Sequence, residues 1–141
     1  MFLLDTNVVS ELRTGKPQQS SAVRAWAGGV PANQMYLSAV TLLELEMGVL
    51  RLARKDAPQA APLRAWLTNV LREFQGRVLP FDAEAALLCA PMHTPNPRSF
   101  RDSMIAASAQ QHRLALATRN TADFAGLAVE LVNPWLNPPA Q

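Results

Sequence analysis

The stretch that decides the fold of this chain is Met1-Phe2-Leu3-Leu4-Asp5-Thr6-Asn7. An uninterrupted apolar run of this length is typical of a short strand that is buried on both faces, as in a parallel sheet. The run ends at Asp5, and open α/β sheets bind their ligands just beyond the carboxyl ends of such strands. Asp5 is therefore a phosphorylated or nucleophilic aspartate, a metal ligand, or only the cap of the helix that follows.

Length and composition indicate one globular domain over residues 1–141, with 49% hydrophobic residues to form its core. The formal net charge of +2 permits nucleic acid as a partner without requiring it. Because Cys89 is the only cysteine, a disulfide framework and a cysteine-ligated zinc site are excluded. The sequence has no basic signal-peptide region at its start and no apolar stretch of about 20 residues. We therefore expect a cytoplasmic protein without a membrane span.

Strand and helix patterns alternate along the chain, which predicts a parallel sheet covered by helices. Beyond the opening run, the predicted strands are 34–37, 78–79, 114–117 and 128–132. The first three predicted helices are 8–12, 22–27 and 39–53, the last of which is capped by Ser38. The fourth has Pro62 at an early position and Gly76 as its C-terminal cap. The fifth is capped by Asp82 and runs through Cys89, and the sixth is 100–113. Prolines at 134, 138 and 139 are expected to interrupt regular structure in the tail.

The apolar helix 39–53 contains two carboxylates, Glu44 and Glu46. At about 100° per residue, Glu46 falls within the arc of Leu42 and Leu50, and Glu44 falls at the edge of that arc. Periodicity therefore selects neither residue for a chemical role. A carboxylate on an apolar helix needs a partner, so each is either part of a site or an ordinary salt-bridged acid.

Two more aspartates lie where helices begin. Asp102 follows Ser99 by three residues in a variant of the capping box, and Asp123 follows Asn120 at the same spacing. Capping and metal binding do not exclude each other, because helix starts favour anionic groups. If these aspartates meet Asp5 at one edge of a parallel sheet, they repel one another unless a cation neutralises them. Ligands that are all oxygen suit Mg²⁺ or Mn²⁺.

A resemblance to a known family rests on five segments that occur in order, 2–11, 37–44, 77–82, 101–107 and 117–124, together with the tail Val132-Asn133-Pro134-Trp135. In these segments the chain resembles a PIN-domain ribonuclease of the VapC toxin type, and the match runs nearly from end to end. The resemblance implies an α/β fold, a PIN-like three-layer α/β/α sandwich with a central, mainly parallel sheet of four to five strands.

The resemblance also implies a set of site residues, and it selects Glu44 over Glu46. The implied catalytic and metal-binding quartet is Asp5, Glu44, Asp102 and Asp123. The implied supporting residues are Asn7, Thr118 and Asn120. Mg²⁺ or Mn²⁺ is the implied cofactor. The arginines that we expect to contact RNA phosphates are Arg119, Arg98 and Arg101.

By the same resemblance, the chain is expected to be a metal-dependent endoribonuclease and the toxin of a type II toxin–antitoxin pair. Its expected partners are RNA, a cognate antitoxin protein and a second copy of itself. One alternative is a non-catalytic PIN-type module that binds RNA or protein, although the complete quartet argues against it. The other is an Asp-dependent phosphatase. A phosphatase of the haloacid-dehalogenase type needs a second aspartate two residues after the first, where this chain has Asn7.

Overall fold

The computed structural model describes residues 1–136 and contains a central five-stranded sheet in the order β3-β2-β1-β4-β5. Every pair of neighbouring strands is parallel. The strands are β1 (Phe2–Leu4), β2 (Met35–Ser38), β3 (Val78–Leu79), β4 (Ala115–Ala117) and β5 (Leu131–Val132). The predicted α/β class and parallel sheet are confirmed. The predicted effect of Pro138 and Pro139 falls outside the described residues.

Six α-helices connect and cover the strands within residues 1–136. They are α1 (Thr6–Glu11), α2 (Ser21–Gly28), α3 (Ala39–Lys55), α4 (Ala57–Glu73), α5 (Ala83–Cys89) and α6 (Phe100–His112). Short 3₁₀ helices lie at Ala32–Gln34, Ala90–His93 and Thr121–Phe124. None of the helices in this part of the chain has both the length and the apolar character needed to cross a bilayer.

The two leucines of β1 divide the core into two clusters, because successive side chains of a strand point to opposite faces. Leu3 packs with Ile105 of α6 on one face of the sheet. Leu4 packs on the other face with Val8 of α1 and Leu67 of α4. The helices therefore form two layers around the sheet, which confirms the three-layer α/β/α sandwich.

The prediction that Pro62 lies at an early position of the fourth helix is wrong, because α4 begins at Ala57 and Pro62 lies beyond its first turn. The Asp56 side chain accepts a hydrogen bond from the Gln59 amide at 3.1 Å and caps the helix. Pro62 lies inside α4. The predicted C-terminal cap, Gly76, is also corrected: Phe74 is the cap residue of α4. Gly76 has a φ of 81° and turns the chain toward β3, a backbone conformation that glycine adopts without strain.

The strand order places the topological switch point of the sheet between β1 and β4. From β1 the chain moves outward through β2 to β3, whereas β4 and β5 lie on the opposite side of β1. In open α/β sheets, ligands bind in the crevice outside the carboxyl ends of the strands at such a point. Asp5 comes directly after β1, and Thr118 comes directly after β4.

Candidate functional site

Asp5 lies at the bottom of the crevice and is only 5% exposed. Its carboxylate accepts hydrogen bonds from the Thr118 hydroxyl at 2.7 Å, the Thr6 amide at 2.8 Å and the Asn7 side-chain amide at 3.3 Å. Burial raises the pKa of Asp5 above its usual value despite these bonds, and the negative charge of Glu44 raises it further. Asp5 is thus both the N-terminal cap of α1 and a desolvated acid in the switch-point crevice.

Thr118 and Asn7 link the segment after β4 to the segment after β1. The fully buried Thr118 hydroxyl donates to Asp5 and accepts the Asn120 amide N–H at 3.1 Å. The side-chain Oδ1 of Asn7 accepts the Arg119 backbone N–H at 3.3 Å. Asn7 and Thr118, both predicted as supporting residues, therefore contact Asp5 through their side chains, while Asn120 takes part through its backbone amide.

Glu44 lies on the face of α3 that approaches α1. One of its carboxylate oxygens accepts a hydrogen bond from the Thr6 hydroxyl at 2.9 Å. The other lies 3.5 Å from the Arg101 guanidinium at the start of α6. The Thr6 hydroxyl also lies 3.1 Å from that of Thr41, which is fully buried. Sequence reasoning missed Thr6 and Thr41; the only signal was the position of Thr6 inside the polar triplet after β1.

Glu46, two residues further along α3, points away from the crevice. It forms a salt bridge with Arg64 of α4, in which both guanidinium nitrogens donate to the carboxylate. This bond, ahead of the attraction between the two charges, lowers the pKa of Glu46 below its usual value. The structure thus gives the two carboxylates of α3 different surroundings, and only Glu44 lies beside the Asp5 segment.

Asp102 lies in the first turn of α6 and is partly buried. The Ser99 hydroxyl accepts the Asp102 amide N–H at 3.4 Å, which is one half of the predicted capping box. Partial burial raises the pKa of Asp102, and repulsion from Asp5, Asp123 and Glu44 raises it further. The other three acids of the implied quartet therefore all lie within electrostatic reach of Asp102.

Asp123 lies in the 3₁₀ helix Thr121–Phe124, which Arg98 ties to the loop before α6. The Arg98 guanidinium donates to the carbonyl oxygen of Asp123 at 3.2 Å and to that of Ala125 at 3.1 Å. Its Nε donates to the carbonyl oxygen of Met92 at 3.1 Å. Arg98, which the sequence suggested as an RNA contact, thus binds three backbone carbonyls.

The other two candidate RNA contacts are exposed. Arg119 places its guanidinium carbon 5.2 Å from the centre of the Trp135 ring, in a cation–π contact. Arg101 lies beside Glu44 with just over half of its side chain in solvent. Both remain predictions as contacts to phosphate.

The donor set of the four acids fits a hard divalent cation, since it consists only of carboxylate oxygens. Among residues 1–136, no three Asp, Glu, His or Cys side chains lie close enough together to hold a metal ion as they stand. The fit therefore rests on chemistry: burial first and repulsion from the other acids second raise the pKa of Asp102, and a bound cation would relieve that repulsion.

Comparison with known proteins identifies the family. The PIN domain model matches residues 2–130. Toxin FitB of Neisseria gonorrhoeae is 37% identical over 96% of this chain and 99% of its own length. VapC ribonuclease Y4jK of Sinorhizobium fredii is 36% identical over 96% of this chain and 98% of its own length.

Solved structures agree with these relatives. The crystal structure of FitAcB from Neisseria gonorrhoeae matches with a TM-score of 0.86 and 36% identity, over 97% of this chain and 100% of that one. A toxin–antitoxin complex from Klebsiella pneumoniae matches with a TM-score of 0.69 and 28% identity, over 95% of this chain and 98% of that one. The chain therefore belongs to the PIN-domain family and, within it, groups with the VapC-type toxins.

Proposed function

We propose that this protein is an Mg²⁺- or Mn²⁺-dependent endoribonuclease that hydrolyses RNA phosphodiester bonds and acts as the toxin of a type II toxin–antitoxin pair. The observation that carries the proposal is the geometry of two acids at the switch point: Thr6 binds Asp5 through its amide N–H at 2.8 Å and Glu44 through its hydroxyl at 2.9 Å. Burial first, and the charges of Asp5, Asp123 and Glu44 after it, raise the pKa of Asp102, and a bound cation would offset that repulsion. The relative VapC ribonuclease Y4jK, which is 36% identical over 96% of this chain, supports the choice of RNA as substrate.

In this proposal Asp5, Glu44, Asp102 and Asp123 would hold the metal. A bound divalent ion supplies an acidified water and offsets charge on the phosphate that is cleaved. The protein supplies orientation. The Thr118 hydroxyl and the Thr6 amide fix the Asp5 carboxylate, and the Thr6 hydroxyl fixes Glu44. Because one threonine binds both acids, their spacing is set by α1 before any ligand arrives.

The test is cleavage of single-stranded and structured RNAs by the purified chain, freed of any antitoxin, with Mg²⁺, Mn²⁺ or EDTA. We expect cleavage only with metal and none above background in Asp5→Asn, whose fold is checked by circular dichroism. Cleavage that persists in Asp5→Asn would show a contaminating nuclease. RNA binding without any cleavage, in the presence of bound metal, would instead support the non-catalytic PIN module.

We also propose an antitoxin protein as a partner, because the Klebsiella pneumoniae neighbour is a toxin–antitoxin complex. Apolar side chains available for such contacts lie on both long helices: Leu43 and Leu50 of α3 are 58% and 54% exposed, and Leu71 of α4 is 44% exposed. These side chains are available to pack against the antitoxin, since contiguous apolar surface is what marks a protein interaction site. Co-expression with the product of a neighbouring gene, followed by copurification, tests this proposal.

A homodimer is the remaining proposed assembly. Sedimentation of the antitoxin-free chain at several concentrations measures it directly. We expect a molecular mass of twice 15.4 kDa, and a constant mass of 15.4 kDa would exclude the dimer.

A further inference from the structure

A cleft of about 570 Å³ begins at the candidate site and runs between α1, α3 and α4. Thr6 and Glu44 line the end that meets the site. Arg101 lies beside Glu44, and the lining also contains the basic side chains of Arg13, Lys16 and Arg51 and one aromatic side chain, Trp66. Glu44 therefore belongs both to the acids that would hold the metal and to the lining of this basic cleft.

We infer that this cleft binds the single-stranded segment of RNA next to the bond that is cleaved, with phosphates on the arginines and a base against Trp66. The inference rests on the proposed function and adds to it the path of the substrate. It assigns binding roles to Arg13, Arg51 and Trp66, which neither the acid motifs nor the pattern of the helices selected.

The charge of the cleft favours an anionic ligand. Two of the basic residues already face carboxylates, since Lys16 lies 2.6 Å from Glu11 and Arg101 lies 3.5 Å from Glu44. Arg13 and Arg51 have no carboxylate within salt-bridge distance among residues 1–136. Unpaired arginines beside a phosphodiesterase site offer the forked donor geometry that suits phosphate.

The aromatic ring favours nucleic acid over an acidic peptide. Trp66 packs its body against the core cluster of α3 and α4, yet it also lines the cleft and is partly exposed. A cationic groove that contains an aromatic platform is the arrangement by which proteins bind single strands, because every base has a face that stacks. A peptide carboxylate would bind the arginines and leave the ring without a partner.

The size of the cleft favours a single strand over a duplex. Clefts of about 300–1,000 Å³ enclose ligands of drug-like size. The volume of about 570 Å³ therefore admits a nucleotide or two of a single strand. A base-paired helix is too wide to enter, so we expect structured RNA to be cut only in loops.

The first test compares two arginines of α3. Arg51 lines the cleft, whereas the exposed Arg54, one turn further along the same helix, does not. Binding of a fluorescein-labelled single-stranded RNA is measured in EDTA, where no cleavage occurs, at several salt concentrations. We expect Arg51→Gln to weaken binding about 5-fold and to reduce the salt slope by about 0.7, the value for one phosphate contact on a single strand. Arg54→Gln should leave both quantities unchanged.

The second test concerns the ring. Trp66→Phe keeps an aromatic face, and Trp66→Leu removes it. We expect Trp66→Leu to lose about 5-fold or more in affinity, the cost of one base–aromatic stack, and Trp66→Phe to lose less. Unfolding midpoints of both variants show whether each is folded at the temperature of the assay.

The outcomes separate this inference from the proposed function. If the wild-type chain neither binds nor cuts RNA, the proposed function fails. If it cuts RNA but Arg51→Gln and Arg54→Gln bind equally well, the inference about the cleft fails alone. If Arg51→Gln weakens capture of the antitoxin and leaves RNA binding unchanged, the cleft belongs to the protein partner and the inference is overturned.

Discussion

Arg98 is a single side chain on which the position of Asp123 depends. Its three hydrogen bonds join the loop that contains Met92 to the 3₁₀ helix Thr121–Phe124. The sequence offered Arg98 as an RNA contact because an arginine near a nuclease motif suits phosphate. That interpretation could not foresee the carbonyls of Asp123 and Ala125, because they lie 25 and 27 residues away in the chain.

Arg98→Ala separates these two roles. If Arg98 positions Asp123, we expect metal-dependent cleavage to fall about 10-fold or more, with a higher metal concentration needed for half-maximal rate. RNA affinity in EDTA should change less than about 2-fold, since no cleft cation is lost. A loss of RNA affinity as large as the loss of cleavage would support the original prediction of a phosphate contact instead.

Glu11 is a second residue with a role that the sequence did not reveal. It is 6% exposed at the end of α1 and accepts hydrogen bonds from the Lys16 ammonium and the Ser20 amide, both at 2.6 Å. The Lys16 bond first, and the Ser20 bond second, lower the pKa of Glu11 below its usual 4.5. These bonds hold the segment 12–20, which supplies Arg13 and Lys16 to the cleft.

Glu11→Gln should lower the free energy of unfolding by roughly 1.5–3 kcal/mol at pH 7, the scale of a hydrogen bond to a charged group. Because the folded pKa is lowered, the stabilisation by Glu11 is complete above its unfolded pKa and is lost as pH falls through the folded pKa. Urea unfolding of both proteins between pH 7 and pH 3 measures this. A difference between the two proteins that stays constant over this range would contradict the assignment.

At the scale of elements, α3 directs its two carboxylates, Glu44 and Glu46, toward different partners. Glu44→Gln removes the acid beside Thr6, whereas Glu46→Gln removes only the partner of Arg64. We expect the first variant to lose about 100-fold or more of the cleavage rate and the second to stay within about 2-fold of wild type. Initial rates at saturating Mn²⁺ measure both. Equal losses of cleavage rate in the two variants would mean that both substitutions act by destabilising α3.

The sequence predicts where α3 starts, but it does not predict the direction of the side chains of this helix. Ser38 was predicted as the cap, and its hydroxyl accepts the Val40 amide N–H at 3.0 Å. Capping is local, so the sequence contains the whole signal. Periodicity left Glu44 and Glu46 equal, because their surroundings depend on how α1 and α4 lie against α3. That contact is tertiary, and only the family resemblance selected Glu44.

A similar limit explains the wrong position predicted for Pro62 in α4. Proline is tolerated in the first turn of a helix, and Pro62 matched that rule. The structure satisfies the rule earlier, with Asp56 as the cap and Pro58 in the first turn. The apolar spacing that begins at Leu63 describes the part of α4 that packs, and it contains no information on the exposed turn before it.

At the scale of the whole molecule, the proposed metal site predicts that divalent metal stabilises the folded state. In the unfolded chain the carboxylates of this site are far apart, so only the folded state gains from a shared cation. We expect Mn²⁺ to raise the thermal unfolding midpoint. The free energy of unfolding should increase by about 2.7 kcal/mol when the ion is at 100 times its Kd. Thermal unfolding in Mn²⁺, in Mg²⁺ and in EDTA measures the effect.

Asp102→Asn provides the control. The raised pKa of Asp102 means that its charged form is disfavoured in the fold, so the variant should be slightly more stable than wild type in EDTA at pH 7. Its gain from Mn²⁺ should be smaller. A wild-type midpoint that does not respond to either metal would contradict the proposed metal site.

The layers of the fold were predictable for a general reason. Alternating strands and helices allow few topologies, and parallel strands place their carboxyl ends at one edge. That rule predicts from the sequence that Asp5 and Asp123 lie near each other, and the structure places both within electrostatic reach of Asp102. The cleft lined by Arg51 and Trp66 was not predictable, since it depends on the packing of three helices.

The pairing of β1 with β4 has a consequence for the newly made chain. The hydroxyl of Thr118 reaches Asp5 across 113 positions of sequence. A ribosome that has translated β1, β2 and β3 therefore exposes Asp5 without Thr118 and without Asp123. Fragments released before that point, by a truncated message or a stalled ribosome, contain no assembled site. If the proposed function is correct, a cell that makes this protein meets its nuclease activity only after translation has passed Asp123.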